Sequence, residues 1–187
     1  MARSKQYNEQ EVVEKAMSLF WRNGYENTSV RMLEKEMGIN QFSIYASFGN
    51  KQGLFLESLK CYKSKVNGMF EKFKNGTDGI EDIKDFFYDS VQTPIEVGNY
   101  KGCFLTNTYN EFAEAEDQII NVQMAEFMES IKQLFIEKLR TDKSKDEETI
   151  LKQANYLLLA KHGLAAASRV NNKKEIEDYI ELTFNNI

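Results

Sequence analysis

The sequence predicts an all-α fold: a three-helix head containing a helix-turn-helix, followed by a six-helix body. Three observations carry this. A single proline and ten glycines in 187 residues leave few points at which helices would break. Apolar residues recur three and four apart along most of the chain, the period that puts them on one helical face. Residues 24–51 read as two short helices around a glycine turn, with a longer helix starting at their end.

Taken in order, the first helix is expected over 9–23, with Val12, Val13, Ala16, Met17, Leu19 and Phe20 as its apolar stripe and Gly24 as its stop. Thr28 is the expected N-cap of the second helix, on which Val30, Leu33 and Met37 share a face. Gly38 ends that helix, because glycine enters the left-handed region without Cβ strain. Asn40 can cap a third helix holding Gln41, Phe42, Ser43, Ile44 and Tyr45. A fourth is expected over about 51–73, where Phe55, Leu59, Tyr62, Val66, Met69 and Phe73 alternate four and three apart. The loop 75–79 leads to a helix over about 80–91, with Thr93-Pro94 as its expected end. Residues 97–101 are ambiguous. Helices over about 103–112 and 117–139, a charged turn at 141–146, and helices over 147–170 and 173–184 complete the chain. The domains expected from this pattern are 1–50, the helix-turn-helix domain suited to DNA binding, and 51–187, a helical body.

Net charge is −5, but it is unevenly spread. Residues 1–65 carry ten Lys/Arg against seven Glu, a balance of +3, and the remainder carries 14 basic against 22 acidic residues, a balance of −8. A weakly basic nucleic-acid-binding head on an acidic body fits this split, and so do ordinary solvated helix faces. The polar, basic N-terminus lacks an apolar run of the secretory kind, and no segment has the apolar length of a membrane span. Cys61 and Cys103 are too few for a disulfide scaffold and lack metal-ligand spacing. The expectation is a soluble cytoplasmic protein with no membrane association, no bound metal and no cofactor.

Residues 12–56 closely resemble the DNA-binding head of the TetR family of bacterial transcriptional regulators. The matching pattern is Ala16, Leu19-Phe20, Gly24-Tyr25, Thr28-Ser29-Val30-Arg31, Leu33, Gly38-Ile39, Ser43-Ile44-Tyr45, Phe48, Asn50-Lys51 and Leu54. The joint spacing over some 40 positions carries the resemblance, and the nine-helix reading extends it to the whole chain at the level of fold. It implies that Thr28 and Ser29 reach a phosphate and that Tyr45 and Lys51 grip the DNA backbone. Gln41, Phe42 and Ser43 would face bases, with Arg31 reaching from the second helix. Phe42 has a second reading, inward into the head. Two positions depart from the family pattern. Phe42 stands where members usually have a small residue or proline, and Ser47 where a His or Tyr often supplies a phosphate contact. The operator is therefore not transferable from the family.

The resemblance also implies a homodimer on a palindromic double-stranded operator, and a small-molecule effector held by the body. The family pairs its last two long helices between subunits, which here would use Leu157, Lys161, Leu164, Ser168, Ile176 and Ile180. Those residues equally suit an intramolecular core. Phe70, Phe86, Cys103, Asn107, Tyr109 and Phe127 are the candidate effector pocket. Lys101-Gly102-Cys103 resembles the helix start of a TetR subgroup, some of whose members sense electrophiles or oxidants through that cysteine. A thiol at a helix N-terminus is more reactive, and Lys101 would add to this; the competing reading is a buried, inert cysteine. His162 is expected in the core or interface. Effector binding would move the 51–73 helix and respace the two heads, releasing DNA.

Two other function classes compete with a repressor. One is an all-α protein-interaction module that no longer binds DNA. The other is an enzyme, which one histidine and the absence of HExxH, GxSxG and phosphate-loop motifs argue against.

Overall fold

The structure, a computed structural model, describes residues 7–96, 102–113, 118–185 and 187. Among them are nine helices and no strand: α1 (Glu9–Asn23), α2 (Val30–Met37), α3 (Gln41–Phe48), α4 (Lys51–Asn75), α5 (Ile80–Glu96), α6 (Phe104–Glu111), α7 (Gln118–Leu139), α8 (Glu147–Ala167) and α9 (Lys173–Phe184). The chain forms two compact units, Met1–Lys65 and Val66–Ile187, so the division falls inside α4. The sequence-based boundary at 50/51 gives all of that helix to the body.

The first unit is built on α1. Asn8 caps it by accepting from the Gln10 and Glu11 amides. Its apolar stripe, Val12, Val13, Ala16, Met17, Leu19, Phe20 and Trp21, is buried. Phe20 meets Phe55 edge-on at 5.0 Å between ring centroids, and Trp21 meets Tyr62 at 5.1 Å. Burying a phenylalanine side chain fully stabilises by about 1.5–3 kcal/mol, so this aromatic seam anchors α4 to α1. Polar contacts add direction: Lys65 pairs with Glu14 at 3.2 Å, and Arg22 of α1 pairs with Glu36 of α2 at 2.9 Å.

The second unit packs α7 against α8, α8 against α9, and α5 against both α7 and α9. Its core joins Phe73, Ile83, Phe86, Phe87, Phe135, Ile136, Leu157, Leu164 and Ile180, among others. A buried lysine tethers the α4–α5 loop to α7. The Lys138 ammonium pairs with Asp82 at 3.0 Å and donates to the carbonyls of Gly76 and Lys74. Asp146 caps α8 through the Thr149 amide, and Asn172 with Glu175 forms a reciprocal capping box at α9.

Three boundaries differ from the sequence reading. The helix expected to stop at Thr93-Pro94 runs to Glu96. Proline removes one intrahelical hydrogen bond, and so near the helix end the cost stays local. The helix expected to reach Val170 ends at Ala167, and the amides of Val170 and Asn171 both return to the Ala167 carbonyl. Ser29, not Thr28, caps α2. The ambiguous stretch 97–101 lies outside the described residues.

Candidate nucleic-acid interface

The helix-turn-helix comprises α2, Gly38 and α3. Gly38 adopts φ 73°, ψ 20°, the left-handed conformation that closes α2, and its amide returns to the Glu34 carbonyl. Asn40 then caps α3 by accepting the Ser43 amide at 2.9 Å, while the Glu34 carboxylate accepts the Gln41 amide at 2.6 Å. The turn is thus held by its own polar groups. Ile44 is the one α3 side chain buried beneath it.

The exposed side of this unit carries most of the residues singled out from the sequence. Phe42 is 82% exposed, which settles its two readings in favour of the outward one. Arg31 and Gln41 are exposed, and Tyr45 and Lys51 are half-buried. None of these last four side chains has a hydrogen-bond or ion-pair partner among the described residues. The Lys51 ammonium lies 4.2 Å from the centroid of the Tyr25 ring, a cation–π contact that positions it beside the start of α4 without using an oxygen acceptor. Ser43 is half-buried on the first turn of α3, and Ser29 is exposed at the α2 N-terminus with its hydroxyl accepting the Met32 amide at 3.2 Å.

Thr28 departs from expectation. It is fully buried, and its hydroxyl donates to the Gly24 carbonyl at 2.6 Å, so it neither caps α2 nor offers an oxygen or proton to a phosphate. In a Thr-Ser pair either hydroxyl can cap, and burial of the threonine methyl decided between them.

Two residues were not found from the sequence. The Tyr7 hydroxyl donates to the Ser43 carbonyl at 3.2 Å and lies 2.7 Å from the Ser47 hydroxyl, tying the segment before α1 to α3. Ser47, in which a lost phosphate contact was read, has this structural use instead. A contact spanning 36 residues has no local sequence signal. Lys35 stands one turn from Arg31 on α2 and is likewise exposed without a partner among the described residues. Its spacing from Arg31 could have identified it.

In the second unit, the residues expected at a dimer interface lie inside the single chain. Leu157, Lys161, Leu164, Ile176 and Ile180 are buried and Ser168 is half-buried, its hydroxyl donating to the Ala165 carbonyl. That assignment is therefore corrected: this face of α8 and α9 builds the core with α5 and α7. The outward apolar residues are Leu151, Tyr156 and Leu159 of α8, Val170 just beyond it, and Leu182 of α9, with Leu159 69% exposed.

The six candidate effector residues fall into two groups. Phe70 meets Phe86 at 5.3 Å and Phe127 at 5.6 Å. Cys103 is the N-cap residue of α6, with Asn107 and Tyr109 half-buried farther along, and the Tyr109 ring lies 5.6 Å from that of His162. Lys161 bridges the groups. Its ammonium is 5.5 Å from the Phe86 ring centroid, and it interacts electrostatically with Cys103. Gly102 makes that approach possible: a Cβ on it would sit 2.2 Å from the Ala165 carbonyl oxygen of α8. Burial pushes both the Lys161 ammonium and the His162 imidazolium down in pKa, and Lys161 adds to the effect on His162. Lys101 lies outside the described residues.

Among the described residues, no group of three His, Cys, Asp or Glu could hold a metal ion, and no helix is long and apolar enough to cross a membrane.

Residues 12–58 match the sequence profile of the bacterial regulatory proteins, tetR family. Over 109 residues the chain is 30% identical to the uncharacterized HTH-type transcriptional regulator YezE of Bacillus subtilis, covering 58% of this chain and 56% of that protein. Over 127 residues it is 30% identical to the HTH-type transcriptional repressor ComR of Escherichia coli, covering 64% of this chain and 58% of ComR. The matches thus span little more than half the length of these relatives. Its fold is that of the TetR family regulator CifR, solved as a cysteine mutant with 26-bp operator DNA, at a TM-score of 0.84, 21% identity and 98% coverage of both chains. With the helix-turn-helix in place, residues 12–58 carry the sequence pattern of the bacterial regulatory proteins, tetR family, and the chain as a whole shares the fold of solved TetR family regulators.

Proposed function

We propose that this protein is a sequence-specific DNA-binding repressor that acts as a homodimer on a palindromic operator and is released by a small apolar or electrophilic effector. The carrying observation is the outward face of the helix-turn-helix, where Phe42 is 82% exposed and Arg31, Gln41, Tyr45 and Lys51 have no polar partner among the described residues. A protein surface rarely leaves a large ring and four donors unused, and duplex DNA satisfies all of them. Gln41 and Arg31 suit base edges, Phe42 suits thymine methyls, and Tyr45, Lys51, Lys35 and Ser29 suit phosphates. ComR, a repressor by name, and the operator complex of CifR support the same reading.

Dimerisation places two heads on one face of DNA about one helical turn apart. The pairing surface is the outward side of α8 and α9, centred on Tyr156, Leu159, Val170 and Leu182, with the exposed Gly163 and Ala166 allowing close helix approach. The body holds the effector beside Phe70, Phe86, Phe127, Cys103, Asn107 and Tyr109. The helix α4, which runs from Lys51 to Asn75 and so belongs to both units, is the element through which effector binding would act. The chain thus divides functionally into a DNA-binding part, 1–50, and an effector and dimerisation part, 51–187, and works in the cytoplasm with no cofactor. An electrophoretic shift of DNA from upstream of its own gene tests this. Retardation that survives excess unrelated DNA supports it, and its absence would leave the protein-interaction reading.

A further inference from the structure

Among the described residues, the body contains two buried lysines whose surroundings differ. Lys138 has a carboxylate, Asp82, at 3.0 Å and two backbone carbonyls, so its charge is neutralised where it lies. Lys161 is equally buried, at 6% exposed, yet has neither a hydrogen bond nor an ion pair among the described residues. Its neighbours are the Phe86 ring, the Cys103 thiol and His162. An ammonium held without a counter-ion in apolar surroundings is costly, and an apolar side chain of similar volume would fill such a site at lower cost if the lysine were there only for packing.

We propose that Lys161 anchors the acidic group of an effector, a monocarboxylate whose apolar remainder lies along Phe86, Phe70 and Phe127. This deepens the ligand-responsive reading above and rests on it. A single ammonium matches a single negative charge. A phosphate dianion would call for a fork of donors or a row of backbone amides, and among the described residues the side chains that act on or are acted on by Lys161 are Cys103 and His162, whose imidazolium is disfavoured by burial. The rings supply the apolar wall: Phe70 lies 5.3 Å from Phe86 and 5.6 Å from Phe127. The carboxylate would give Lys161 the partner that Asp82 gives Lys138.

Thermal unfolding and calorimetric titration of the full chain with benzoate, 2-naphthoate and decanoate, each beside its primary amide, test the anchor. At least one acid is expected to bind and raise the melting temperature where its amide does not. Lys161→Met, which fills the same volume without charge, should lower that affinity roughly 10- to 100-fold, as loss of a charged hydrogen bond does. Lys161→Arg should retain the preference for acid over amide, and this separates lost charge from a damaged fold. The proposal is overturned if no acid exceeds its amide, or if Lys161→Met binds the acid as tightly as wild type. Operator binding measured alongside keeps the two readings apart. An acid that binds through Lys161 but leaves DNA bound refutes effector release while supporting the anchor.

Discussion

Replacing Phe42 with alanine separates a recognition residue from a structural one, because the two roles demand opposite outcomes. The ring is 82% exposed on α3, and Ile44 alone of that helix is buried beneath it, so truncation removes almost no internal packing. Stability should change by no more than about 0.5 kcal/mol, the usual range for surface substitutions. In a complex the same ring would be covered by base edges. Full burial of a phenylalanine side chain is worth about 1.5–3 kcal/mol, and each 1.4 kcal/mol is tenfold in affinity. Operator affinity should therefore fall roughly 10- to 100-fold. Urea unfolding followed by circular dichroism gives the first quantity, and fluorescence anisotropy with labelled upstream DNA gives the second. A variant destabilised by more than about 1 kcal/mol, or one that binds DNA like wild type, would refute the assignment.

Three further outcomes follow from the same geometry. Leu159→Asp places a charge in the outward apolar stripe of α8, and sedimentation should show a dimer becoming a folded monomer; an unchanged dimer would remove that face from the interface. Lys138→Ala leaves Asp82 and two carbonyls without their cation, a loss of about 3–5 kcal/mol and a melting temperature lower by about 6–20 °C for a chain of this size, while Lys138→Met with Asp82→Asn should recover much of it. The Asp146 carboxyl is held below its ordinary pKa by accepting the Thr149 amide. Its capping contribution is therefore complete above the ordinary carboxylate range and fades as pH falls through the lowered folded-state value. Asp146→Asn caps without titrating, so acid unfolding curves of that variant should lose this part of the pH dependence.

The head was legible because its signals are local. The stripe on α1, the glycine at 38 and the asparagine cap at 40 each act within a turn of chain, and all three hold in the structure. Ambiguity entered where neighbouring residues could serve one purpose, as with Thr28 and Ser29. The body was harder to read. Helix α8 carries leucines at 157, 158 and 159 and alanines on several sides, so apolar spacing identifies a helix but not which side faces inward. Burial of Leu157, Lys161 and Leu164 decides that, and the pairing surface is proposed on the opposite side for this reason. Neither the Tyr7 tether nor the lack of a polar partner for Lys161 among the described residues has a sequence signature, since each depends on residues far apart in the chain.

DNA recognition by the helix-turn-helix is tested most directly by the salt dependence of binding to the protein's own upstream DNA, for wild type and Lys51→Ala. The logarithm of affinity should fall steeply with the logarithm of salt concentration, at about 0.9 per neutralised phosphate. Lys51→Ala should reduce that slope by about one for each head while leaving sequence preference intact. A slope near zero, or upstream DNA bound no better than a scrambled duplex, would contradict the account.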